Sequence, residues 1–155
     1  MTIFFDFEQD FIESLRCIPM IVRYKLDTCG VKLKLEHWNH FSQAERESLV
    51  EFPCQTVEEV ETYRQYLQDL VHQQTGEYAK ELTIEAHPPW FNKEEIPINV
   101  QEKAQECNVQ LSLSQWQNLE DIQRFVLIKL SRPSHENRNF VPACREFELI
   151  HLSSV

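Results

Sequence analysis

Glycine is nearly missing from this chain: Gly30 and Gly76 are the only two in 155 residues. That scarcity argues against a loop-rich β-sandwich and against a glycine-rich phosphate cradle. No P-loop, no GxGxxG and no serine elbow occur. No apolar run approaches the roughly 18–20 residues that a membrane helix needs. The N-terminus "MTIFFDFEQDF" is acidic and lacks the basic n-region of a signal peptide. A cytoplasmic protein without a membrane segment is therefore expected. Paired cysteines are lacking too. Cys17, Cys29, Cys54, Cys107 and Cys144 make an odd count with no CxxC spacing, so disulfides are not expected in a reducing compartment. Positive charge is also short. Fifteen Lys and Arg face twenty-five Asp and Glu, a net charge of -10. That field repels phosphate backbones and argues against nucleic acid as a partner. The most cationic piece, "RYKLDTCGVKLK", is flanked by acids, which weakens the case for a helix–turn–helix regulator.

What is present is a message written twice. "IPMIVRYKLDTCGVKLKLEHW", Ile18 to Trp38, aligns without a gap to "IPINVQEKAQECNVQLSLSQW", Ile96 to Trp116. The offset is 78 residues, and it continues to Arg46 with Arg124 and Leu49 with Leu127. The physical roles match as well as the letters. Pro19 and Pro97 suit the first turn of a helix. Ile18, Val22, Leu26 and Cys29 make one helical stripe, and Ile96, Val100, Ala104 and Cys107 make another. Gly30 and Asn108 follow, the two residue types that most readily close a helix in the left-handed conformation. Val31 and Val109 then stand where an apolar residue packs back on the helix end.

The reading is an all-α protein, with at most a very short strand pair. One domain, 1–155, holds an internal repeat, 18–75 and 96–150, around one shared core, joined by a 76–95 connector. After each helix cap comes "KLKL" or "QLSL", a short connection whose leucines are expected to plug the core. Short helices at 36–41 and 114–119 each carry a tryptophan inward. "SQAE" at Ser42 and "TVEE" at Thr56 are capping boxes that open the next two helices. The first runs to about Phe52. The second ends near Gly76 and carries a stripe of Val57, Val60, Tyr63, Leu67, Leu70 and Val71. In the second copy the counterparts are 121–130 and a shorter helix, 140–149. Phe4, Phe7, Phe11 and Leu15 share one face of an expected leading helix. "ELTIEAH", Glu81 to His87, suggests a short strand.

Chemistry is harder to find. His37 and His40 lie three apart, but a zinc site needs about four ligands with local pairs, and none is evident. They read better as solvated flanks of Trp38. Cys29 and Cys107 end equivalent stripes and read as core residues. Cys17 beside Arg16 keeps a reactive thiol open. No positive case for an enzyme emerges, and no cofactor is implied. Trp90 and Phe91, beside Pro88-Pro89, either pack over the seam between the copies or offer an aromatic patch to a partner.

The segment Phe5 to Trp38 resembles the opening of the nitrate reductase-associated protein family, small bacterial proteins known chiefly from cyanobacteria. The family pattern "LRCIPM-VR-KLD--G-KL-L--W" is filled by Leu15, Arg16, Cys17, Ile18, Pro19, Met20, Val22, Arg23, Lys25, Leu26, Asp27, Gly30, Lys32, Leu33, Leu35 and Trp38. The resemblance implies a non-catalytic accessory or maturation factor binding assimilatory nitrate reductase, a molybdenum and iron–sulfur enzyme. It supplies no catalytic residues. A structural subunit of the reductase is the alternative, with a small helical regulator or cofactor-handling enzyme behind it. Arg16, Arg23, Lys25 and Asp27, left outside the first stripe, are the candidate partner-binding charges, with Trp90 and Phe91 beside them. The second copy keeps Lys103 but has Gln101 and Gln105 in place of Arg23 and Asp27, as expected if only the first binds.

Overall fold

The computed structural model describes residues 4–8, 15–132 and 138–150. The chain is mostly helical. Among the described residues there are eight α-helices and one two-stranded sheet. The chain divides into two compact units: Met1–Phe4 with Glu8–Glu85, and Phe5–Phe7 with Ala86–Val155. The division between Glu85 and Ala86 falls inside the 76–95 connector.

In the first unit, α1 (Met20–Cys29) buries Val22, Leu26 and Cys29. Pro19 stands one position earlier than expected, as the N-cap in an extended conformation. Its carbonyl still starts the helix, accepting from Val22 and Arg23. Gly30 closes α1 at φ 73, and β1 (Val31–Lys32) follows. Next come α2 (Leu35–Asn39), α3 (Gln43–Glu51) and α4 (Val57–Thr75). Ser42 and Thr56 both form their capping boxes, accepting from Glu45 N–H and Glu59 N–H. Gly76 ends α4 at φ 79. The chain then turns back as β2 (Lys80–Glu81), antiparallel to β1 with Val31 opposite Glu81.

Three expectations fail here for local reasons. Leu35 does not plug the core. It is the first residue of α2 and is 52% exposed. Val57 takes the same first position in α4 and is also exposed, so the buried stripe starts later, at Tyr63. His37 is buried rather than solvated.

In the second unit, α5 (Ile98–Glu106), α6 (Leu113–Asn118), α7 (Asp121–Ser131) and α8 (Phe140–Glu146) follow in order. Pro97 is again the N-cap, and Asn108 adopts φ 58. The core gathers on α7, whose Phe125, Val126, Leu127 and Leu130 are fully buried. Leu113, like Leu35, opens a helix and is exposed. Cys107 is half-buried and caps α5 rather than filling the core. The last helix stops at Glu146, short of the expected 149, because the backbone turns at Glu148, φ 62. The expected leading helix lies largely outside the described residues; Asp6–Glu8 form a single 3-10 turn.

Matched contacts recur at the offset of 78. The Arg23 guanidinium donates to the Ile18 carbonyl at 3.0 Å, and the Gln101 amide donates to Ile96 at 2.7 Å. Arg46 donates to the Trp38 carbonyl at 3.2 Å, and Arg124 to Trp116 at 3.3 Å. Capping boxes stand at Ser42 and Glu120.

Candidate partner-binding site

The charged face of α1 is tied into its own unit. Arg16 is exposed, while Arg23, Lys25 and Asp27 are half-buried. Lys25 Nζ reaches the carbonyls of Val50 and Phe52, both at 2.6 Å. Those carbonyls close the C-terminus of α3, where a cation is favoured by the exposed backbone oxygens. Burial holds the Lys25 amine below the ordinary lysine range. The bond made by Arg23 is also made by Gln101, so that contact needs a donor and not a charge.

The two aromatic candidates separate. Trp90 is buried in the second unit, edge-on to Phe125 at 5.1 Å. Its carbonyl accepts from Arg124 Nε at 2.7 Å. Phe91 is half exposed. Arg124 itself is buried, spans the carbonyls of Trp90, Trp116 and Leu119, and pairs with Asp121. Five donors in one planar fork make this possible for arginine alone.

His37 has a specific role. Lys34 N–H donates to its Nδ1 at 3.3 Å, so Nε2 carries the proton and donates to Glu77 at 3.0 Å. That bond holds the Glu77 carboxyl below the ordinary glutamate range. Glu77 begins the segment that lies along β1. The same segment is held at Ala79, whose backbone pairs with Gln68, and at Leu82, whose N–H donates to the Gly30 carbonyl at 2.7 Å. A Cβ on Gly30 would lie 2.6 Å from the Leu82 carbonyl oxygen. The first unit thus covers the end of its own first helix with its own strand.

The second unit is arranged differently at the matching place. Val109 and Gln110 stand 78 residues after Val31 and Lys32 and belong to no strand among the described residues. Beside them an open groove of about 940 Å³ is lined by Ile96, Ile98, Ala104, Val109 and Leu111 together with Glu102, Ser112 and four glutamines. Ile98 is 64% exposed, whereas Met20, at the matching position, is buried. A stretch of backbone beside a groove of mixed apolar and polar lining suits an extended peptide, which would pair main chain to main chain and place side chains in the groove. The groove was not foreseen from the sequence.

A family profile described as conserved nitrate reductase-associated protein matches residues 4–147. The chain belongs to that family. The match reaches well beyond the Phe5 to Trp38 segment that carried the resemblance and takes in both units. No curated protein and no solved structure matches it. The family's name indicates an association with nitrate reductase. None of the described helices is long and apolar enough to cross a membrane. Among the described residues, no three His, Cys, Asp or Glu side chains gather where a metal ion would bind.

Proposed function

We propose that this protein is a non-catalytic accessory factor of the cytoplasm that binds nitrate reductase and assists production of its active form. The observation that carries the reading, beside the family name, is the groove of the second unit. It offers apolar side chains beside Val109 and Gln110, which belong to no strand among the described residues, where the first unit seats a strand of its own. An incompletely assembled enzyme presents extended segments of the kind such a site takes. The matched contacts at an offset of 78 support a further reading, that one helical unit was duplicated. On this view the first copy kept a covering strand and the second became the binding copy.

The test is capture from the native cell. The tagged full-length protein is recovered under nitrate growth and its companions are identified by mass spectrometry. Enrichment of nitrate reductase over a tag-only control supports the proposal. Enrichment of the cofactor-deficient form separates an accessory factor from a structural subunit, which would copurify stoichiometrically with mature enzyme. No enrichment with well-expressed bait overturns the proposal.

A further inference from the structure

We propose that Cys29 and Cys54 form a redox-active thiol pair, which a hydroperoxide oxidises to a disulfide tying the end of α1 to the loop between α3 and α4. Cys29 is the last residue of α1, and Cys54 lies between α3 and α4. Their sulfurs sit over consecutive carbonyls of the same helical turn. Cys54 Sγ lies 3.7 Å from the Lys25 carbonyl oxygen, and Cys29 Sγ lies 3.7 Å from that of Leu26. Both sulfurs therefore lie against the last turns of α1.

The surroundings make the pair unequal. The neighbouring Cys54 and burial push the Cys29 thiol up. The neighbouring Cys29 and the positive charges of Lys25 and Arg64 bring the Cys54 thiol down against burial and the Glu59 carboxylate. Lys25 Nζ is fixed on the Phe52 carbonyl, two residues before Cys54. Arg64 Nε is fixed on the Cys29 carbonyl at 2.9 Å. The cations are therefore built in, not passing surface charges. Tyr63 completes the cluster, its hydroxyl donating to Leu49 at 2.6 Å and its own ionisation suppressed by burial. Cys54 is the nucleophile and Cys29 the resolving thiol. Cys144 shows the contrast: burial without such cations pushes its thiol up to about 12.

The chemistry closes without a cofactor. The Cys54 thiolate attacks one oxygen of hydrogen peroxide. The S–O bond forms, the O–O bond breaks, and hydroxide leaves and is neutralised by the proton the Cys54 thiol gave up to solvent. Cys29 then attacks the sulfenic sulfur. The S–S bond forms, the S–O bond breaks, and the thiol proton leaves with the hydroxyl as water. The two cysteines lose two electrons in all, and the peroxide is reduced.

The test treats the folded full-length protein with stoichiometric hydrogen peroxide at neutral pH. Remaining thiols are blocked and the peptides mapped by mass spectrometry. The expected result is loss of two of the five free thiols, with the Cys29 and Cys54 peptides joined. Cys29→Ser is expected to stop at a sulfenic acid on Cys54 that dimedone traps. Cys54→Ser is expected to leave Cys29 reduced. Circular dichroism shows whether each variant is folded, and the wild-type result stands without them. Oxidation at exposed Cys17 with Cys29 and Cys54 left reduced overturns the proposal. So does unchanged oxidation of Cys29 in folded Cys54→Ser.

Discussion

The side-chain amide of Gln68 pairs with both backbone groups of Ala79. Its Nε2 donates to the Ala79 carbonyl and its Oε1 accepts the Ala79 N–H, each at 2.8 Å. A residue in the middle of α4 thus does for one residue of the covering segment what a neighbouring strand would do. Both groups are buried.

Replacing Gln68 tests whether that pairing holds the segment. Gln68→Leu leaves a buried donor and a buried acceptor unmet, and is expected to cost about 2–4 kcal/mol. Gln68→Glu keeps an acceptor but sets a buried carboxylate against the Ala79 carbonyl and the Glu81 carboxylate, so at neutral pH it should cost at least as much. Urea unfolding measures both. A cost under about 0.5 kcal/mol for the leucine variant, as for an ordinary surface change, would mean the segment is held elsewhere.

The two glycines make a paired test. Both sit at positive φ, 73 for Gly30 and 79 for Gly76. Gly76→Ala meets nothing within 4 Å, so only backbone strain applies, about 1–2 kcal/mol. Gly30→Ala meets the Leu82 oxygen at 2.6 Å and the Ile84 side chain at 2.9 Å as well. It should cost distinctly more and loosen the strand pair. Equal losses in urea unfolding would refute the role given to the close approach. Asn108, at a similar φ, carries a Cβ where no strand lies among the described residues.

Acid should act through Glu77. The His37 N–H, with help from the Lys34 charge, holds its folded pKa below the unfolded one. Its contribution is therefore fully present above the ordinary glutamate value and is lost as pH falls through the folded value. Glu77→Gln should melt lower than wild type at pH 7, with the gap narrowing as the solution is acidified below pH ~4. A gap independent of pH would show that the carboxylate charge is not what matters.

Much of the fold was legible because it rests on local rules. Ser42 and Thr56 cap as their capping-box sequences require, and Gly30, Asn108 and Gly76 all turn left-handed. Each depends on residues within one helical turn. What failed depends on packing at distance. Nothing local says that Leu35 and Leu113, as first residues of their helices, face outward. Nothing local says that His37 meets Glu77, forty residues away, or that Lys25 turns onto the end of α3. The charges chosen from the α1 face were hard to judge for the same reason. A helical stripe shows which residues leave the core, and not what they touch afterwards. The groove was missed because it lies beside Val109 and Gln110, which belong to no strand among the described residues, whereas Val31 and Lys32 pair with Lys80 and Glu81.

The central claim is physical association with nitrate reductase through the second unit. The most direct measurement is a binding isotherm of the purified full-length protein against cofactor-free and cofactor-loaded nitrate reductase, repeated with Ile98→Asp. Ile98 is exposed and opens α5, where an acidic residue suits the helix start, so the variant should fold normally. The account predicts saturable binding, tighter to the cofactor-free enzyme, and weakened roughly tenfold or more by Ile98→Asp, about 1.4 kcal/mol. Absence of binding to either form, with both proteins folded, would contradict it.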